Sequence, residues 1–136
     1  MLYAMKKFKF LILGIFILLL SSCCTYCAKK TINLTESDSG KSIILVPGNR
    51  LEVALKGNYT TGYTWNIISY DKAILKLSSD SKYVAEQTQL IGAGGIQYYY
   101  FDVVGKGKAE IIIDYSRGWE KESLPVKSFI LTLDSK

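Results

Sequence analysis

Catalysis in this 136-residue chain would have to do without histidine, because it has none. That removes the commonest general base and every Ser–His or Cys–His nucleophile. Few candidates remain. Glu120 and Glu122 are the most visible acid pair, but they sit in a charge-rich loop and read first as a solvated face. Ser79-Asp80-Ser81-Lys82 matches Ser-x-x-Lys in a polar turn, without the companion motifs of a Ser–Lys site. Gly92-Ala93-Gly94-Gly95 has the look of a phosphate cradle, yet it lacks the strand–loop–helix setting and the lysine. Cys24-Thr25-Tyr26-Cys27 has the C-x-x-C spacing with no βαβ pattern around it. All three cysteines lie between residues 23 and 27, so a four-ligand metal site is not expected. No metal, no cofactor and no enzyme is the reading.

What remains is the chemistry of contact. Asn58-Tyr59-Thr60-Thr61-Gly62-Tyr63-Thr64-Trp65 opens with a compact turn that holds two hydroxyls, and its Gly62 is free to take a positive φ. Gly92–Gly95 carries almost no side chain, so its backbone could come close to a partner. Arg117-Gly118-Trp119 supplies two residue types enriched at interface hot spots. Each cluster alone has a plain structural explanation. The first could be a tight connection and the second a bend. The third could be an indole packed on the end of the domain beside a solvated arginine.

These clusters need elements to position them. Leu51, Val53 and Leu55 alternate with polar or small residues, the period-two signature of a half-buried strand. Ser42–Val46, Thr64–Ile68, Ile74–Leu77, Lys82–Ala85, Ile96–Val104, Lys108–Tyr115 and Lys127–Leu133 read as further strands. Trp65 is the expected core anchor of its strand. Tyr99, Phe101 and Val103 share an inner face, and Tyr98, Tyr100 and Asp102 an outer one. Gly105-Lys106-Gly107 reads as a tight hairpin turn. About seven short strands and no helical periodicity predict an all-β, immunoglobulin-like β-sandwich. There is no Cys…Trp…Cys pattern of a true immunoglobulin domain. In such a sandwich alternate loops gather at one end, which would bring the three clusters together.

The N-terminus is an export signal. Lys6, Lys7 and Lys9 precede an 11-residue run from Phe10 to Leu20, apolar apart from Gly14. Such a run is too short to span a bilayer comfortably. Leu20-Ser21-Ser22-Cys23 has the form of a lipobox, which would make Cys23 the lipidated first residue. Ordinary cleavage among Ser21, Ser22 and Ala28, giving a secreted protein, and an uncleaved anchor are the alternatives. The expected layout is a signal peptide over 1–22, a tether over 23–41 and the domain over 42–136. The location is then the cell surface or the periplasmic side of a membrane. Losing the three signal lysines leaves +2 of the formal +5. The remaining cations are scattered, so no nucleic-acid partner is expected.

The three clusters together resemble the loops of chagasin-type inhibitors of papain-family cysteine peptidases. Those carry Asn-Pro-Thr-Thr-Gly-Tyr-x-Trp, Gly-x-Gly-Gly and Arg-Pro-Trp/Phe. The resemblance covers roughly residues 31–134. It implies a reversible, non-covalent inhibitor acting as a monomer on a papain-like cysteine peptidase. It also implies a contact set of Asn58, Thr60, Thr61, Gly62, Tyr63, Gly92, Gly94, Gly95, Arg117 and Trp119. The Thr60–Gly62 turn would sit over the catalytic Cys and His while the other loops grip the cleft. Tyr59 and Gly118 stand where the family has proline, which would remove some preorganisation. Asn33-Leu34-Thr35 and Asn58-Tyr59-Thr60 are glycosylation sequons, and a glycan on Asn58 would block the wedge. The rival reading is a membrane-anchored adhesion or assembly module that binds through Tyr98 and Tyr100 on a sheet face.

Overall fold

A computed structural model describes residues 29–87, 91–120 and 124–136. The signal segment, Cys23 and Glu122 lie outside these residues. Among the described residues there are nine strands: β1 (Thr31–Thr35), β2 (Ser42–Leu45), β3 (Arg50–Gly57), β4 (Thr64–Tyr70), β5 (Leu75–Leu77), β6 (Lys82–Ala85), β7 (Gly95–Val103), β8 (Gly107–Ser116) and β9 (Lys127–Ser135). One sheet runs β1-β3-β7-β5, with β6 also paired to β7, and the other runs β2-β9-β8-β4.

Alternation in the sequence becomes the two faces of each sheet. Leu51, Val53 and Leu55 on β3 and Tyr99, Phe101 and Val103 on β7 turn inward from one sheet. Ile111 and Ile113 on β8 and Phe129, Leu131 and Leu133 on β9 meet them from the other. Burying these two apolar faces against each other is what joins the sheets into a sandwich. Trp65 is buried at one end of this core. Two hydrogen bonds tie the sheets together there: its indole N–H donates to the Lys56 carbonyl at 2.9 Å, and the Tyr99 hydroxyl donates to the Trp65 carbonyl at 2.5 Å. The expected all-β, immunoglobulin-like sandwich is the fold, built from nine strands rather than about seven.

Two local expectations are corrected. The tether does not reach residue 41: Thr31–Thr35 is β1, parallel to β3, and Glu36–Asp38 is a 3-10 turn. Only Ile32 and Leu34 carry an apolar pattern in this polar stretch. Two side chains give no strand signal until β3 offers an edge, against which Leu34 is buried. Glu36 secures the segment by accepting the Lys56 N–H at 2.8 Å and pairing with Lys127 at 3.3 Å. The second correction is that Gly105-Lys106-Gly107 does not close a hairpin, because β7 and β8 belong to different sheets. The Val104 and Gly105 N–H groups both donate to the Ile74 carbonyl, at 2.8 and 3.2 Å. The Gly105 carbonyl accepts the Ser135 hydroxyl at 2.7 Å. A side chain at Gly105 would strike the Ala73 backbone. The glycines thus let the chain pass close under the β4–β5 connection and cross the sandwich.

Candidate functional site

The three clusters follow β3, β6 and β8 and meet at one end of the sandwich. The first loop crosses from one sheet to the other, and Asn58 organises it. The Asn58 carboxamide oxygen caps the 3-10 turn Tyr59–Thr61 by accepting from the Thr60 N–H at 3.0 Å, and it also accepts from the Thr60 hydroxyl at 2.6 Å. The Asn58 carbonyl accepts the Thr61 hydroxyl at 2.6 Å. Gly62 ends the turn at φ +81° and donates its N–H to the Tyr59 carbonyl at 3.0 Å. An L side chain rarely adopts this left-handed conformation.

Both neighbouring loops touch this turn. On one side the Asn58 carboxamide nitrogen donates to the Gly92 carbonyl at 2.8 Å. On the other, the indole of Trp119 lies against Gly62, where a Cβ would collide with it. The Arg117 guanidinium sits over the Tyr63 ring at 4.4 Å, within cation–π range. Tyr63 stacks on Tyr115 at 5.5 Å. Glu120 accepts a hydrogen bond from Arg117 at 3.0 Å, and that bond raises the pKa of the guanidinium, which stays charged. Glu120 is therefore engaged in shaping the third loop.

The ten sequence-derived residues divide by exposure. Thr60, Thr61, Gly92 and Trp119 are exposed, Trp119 to 67%. Asn58, Gly62, Tyr63, Gly94 and Arg117 are half-covered, and Gly95 is buried. Gly94 has little room for a side chain, since a Cβ would lie 3.0 Å from the Gly57 carbonyl. Gly95 is a strand residue opposite Gly57, and the space beside it is filled by Val84 and the phenol of Tyr83. The glycine run therefore leads into a strand, not into the helix a phosphate cradle needs.

Sequence reasoning passed over three residues at this end. Tyr115 reads in the sequence as a strand terminus, but its hydroxyl accepts the Asn58 N–H at 2.9 Å. Ile91, beside Gly92, is fully exposed, and Leu124 is nearly so. The apolar pair Leu90-Ile91 just before the glycine run was the available signal for Ile91. By contrast, Tyr98 and Tyr100 are half-buried on the outer sheet face and stack on each other at 6.4 Å. Arg50 lies over Tyr100 at 4.8 Å, so this patch is occupied by cross-strand packing.

The immunoglobulin-like sandwich thus carries three interlocked loops at one end, with a small turn between a bare backbone and an exposed indole. A family model described as the chagasin family peptidase inhibitor I42 matches residues 45–133. The chain belongs to that family, which consists of inhibitors and not enzymes. It is similar to amoebiasin-1 of Entamoeba histolytica, 34% identical over 92 residues that cover 65% of this chain and 84% of that protein. It is also similar to chagasin of Trypanosoma cruzi, 26% identical over 103 residues, 74% and 94% of the two chains. Among solved structures it resembles the cysteine protease inhibitor EhICP2 from Entamoeba histolytica, with a TM-score of 0.73 and 25% identity over 80% of this chain and 98% of the other. The rival adhesion reading has no support in these relatives.

Proposed function

We propose that the protein inhibits papain-family cysteine peptidases reversibly, by seating the Thr60–Gly62 turn over the catalytic Cys and His. The observation that carries this reading is the contact of Trp119 with Gly62 and of Asn58 with Gly92, which makes one surface of three loops. Thr60, Thr61, Gly62, Gly92 and Trp119 form that surface. Asn58, Tyr63, Gly94, Gly95 and Arg117 hold it in shape. The turn is folded back on Asn58, so it does not present its carbonyls as an extended substrate would, and cleavage is slow. Apart from its peptide carbonyls, which the folded turn does not present for attack, the wedge has no electrophile for the enzyme thiol, so binding is non-covalent. Loops held this firmly lose little entropy on binding.

Residues 29–136 contain both sheets and the whole described core. In the test, that fragment is expected to inhibit papain competitively and to protect its catalytic cysteine from iodoacetamide, while trypsin and metallopeptidases keep full activity. Covalent capture of the papain thiol, or equal inhibition of trypsin, overturns the mechanism.

The same reading includes export and anchoring of Cys23 in a membrane by lipid. The geometry of the domain suits it. Lys30 accepts a hydrogen bond from the Arg50 N–H at 2.8 Å, so the chain reaches the sandwich at the start of β3. The wedge follows the end of that strand, about 25 Å away at the rise of an extended chain. A domain tethered at residue 29 therefore holds its loops away from the membrane. Cleavage without lipidation releases the same domain with the same binding edge.

A further inference from the structure

We propose that Tyr59, Tyr83 and Gln97 form a latch that presets the wedge before it meets a peptidase. The inference rests on the reading of Thr60–Gly62 as the wedge, and it assigns positioning roles to three residues outside the contact set.

The geometry is specific. Tyr59 is the first residue of the 3-10 turn, and its carbonyl is the one that holds Gly62. Its ring lies on the ring of Tyr83, with centroids 3.9 Å apart and planes 12° from parallel. Its hydroxyl donates to the side-chain carbonyl of Gln97. Tyr83 and Gln97 are direct cross-strand partners on β6 and β7. One phenol thus clamps the wedge to two paired strands. Burial, followed by the neighbouring phenols of Tyr83 and Tyr115, raises the Tyr59 pKa above its usual value of 10, so the donor stays protonated.

The latch accounts for Gln97 and Tyr59, and it is consistent with Gly95. Gln97 is 6% exposed in the inward row of β7, where alternation calls for an apolar residue. A buried carboxamide is stable only with partners, and Tyr59 supplies one for its carbonyl. Gly95 opens β7, a strand position that normally disfavours glycine, and a Cβ there would strike the Tyr83 phenol as well as the Val84 carbonyl. Tyr59 is a large aromatic in a turn otherwise made of small residues, at the position where the resemblance leads one to expect proline. A proline would restrict this backbone through its ring. The latch restricts it from outside, through a side chain.

The two devices are interchangeable by geometry. The first N–H of a helical turn has no partner within the turn, so proline is tolerated there. Asn58 precedes it at φ −133°, ψ 99°, an extended conformation of the kind a following proline favours. Tyr59→Pro therefore replaces the latch and makes Tyr83 dispensable.

The test uses residues 29–136 as parent, Tyr83→Ala, Tyr59→Pro and the double variant. Papain association rates and inhibition constants are measured, together with hydrogen exchange of the Gly62 amide in the free proteins. Tyr83→Ala speeds Gly62 exchange and weakens inhibition roughly three- to tenfold, mostly through slower association. Tyr59→Pro binds as well as the parent. Adding Tyr83→Ala to Tyr59→Pro changes binding less than about twofold, a coupling that independent sites do not show. Tyr59→Phe keeps the stack and loses only the hydroxyl. It moves exchange and binding the same way by a smaller factor, and it decides the matter if Tyr83→Ala does not fold. Equal losses from Tyr83→Ala in both backgrounds, or unchanged Gly62 exchange, overturn the latch. A parent that leaves papain fully active overturns the inhibitor reading instead, and the exchange rates then still decide the latch.

Discussion

Gly62→Val strikes the wedge at its tightest point, and two separate costs follow from the structure. The first is in the backbone. Gly62 stands at φ +81°, and holding an L residue there costs about 1–2 kcal/mol, toward the upper end for a β-branched one. That cost falls on folding stability, or on the Gly62-to-Tyr59 hydrogen bond if the turn opens to relieve it. The second cost is in the indole. A Cβ at Gly62 occupies the place of the Trp119 ring. Trp119 is 67% exposed, so it swings aside with little loss of stability, but it is then misplaced for binding. A displaced anchor of this kind is worth about 2 kcal/mol. At about 1.4 kcal/mol per tenfold, the inhibition constant rises roughly 25-fold. Urea denaturation measures the first cost and titration against papain the second. Repeating Gly62→Val in a Trp119→Ala background separates them. The stability loss persists, while the added binding loss shrinks because the indole is already gone. The reasoning is refuted if Gly62→Val keeps the parental denaturation midpoint and inhibition constant, or if the two substitutions are strictly additive in binding.

Trp119→Ala by itself weakens papain binding by about 2 kcal/mol or more with little change in stability, whereas Tyr98→Ala on the sheet face changes binding by less than about 0.5 kcal/mol; the opposite ranking would move the binding surface to the sheet. Cys23→Ser releases the protein from membranes or blocks its maturation in the native host, and mass spectrometry showing an unmodified mature N-terminus there would refute lipidation. Tyr99 governs part of the alkaline stability. Burial, with a smaller contribution from Tyr59, pushes its pKa from 10 up to about 12, so the folded state keeps a proton that the unfolded chain loses. Stability is whole below pH 10, falls as pH rises toward about 12 and then levels. Denaturation midpoints of Tyr99→Phe fall less steeply across that window, the remaining slope coming in part from Tyr59 and Tyr100, whose pKa values are also raised. An identical slope in the two proteins would refute the assignment.

Period-two alternation is a local property, and it was enough to place β3, β7, β8 and β9 and the inward faces of Leu51, Phe101 and Phe129. Loop chemistry is also local. The Thr-Thr-Gly turn, the glycine run and the Arg-x-Trp pair were legible as three loops, and their order carried the family resemblance. Strand partnership is not local. Nothing in Gly105-Lys106-Gly107 says whether the chain turns back beside itself or crosses to the other sheet, because the same glycines serve both paths. What decides it is the Ile74 carbonyl and the Ser135 hydroxyl, which come from distant parts of the chain. β1 was illegible for the same reason, since two apolar side chains become a strand only when β3 supplies the hydrogen-bonding edge. Within the site, types and spacing pointed to the ten residues without dividing them between surface and support. That division depends on what lies beside each one: Tyr83 beside Gly95, Tyr115 beneath Asn58, and Trp119 over Gly62. Tyr59 shows the limit most plainly. In the sequence it is a missing proline, and only the packing of β6 against β7 gives its ring something to hold.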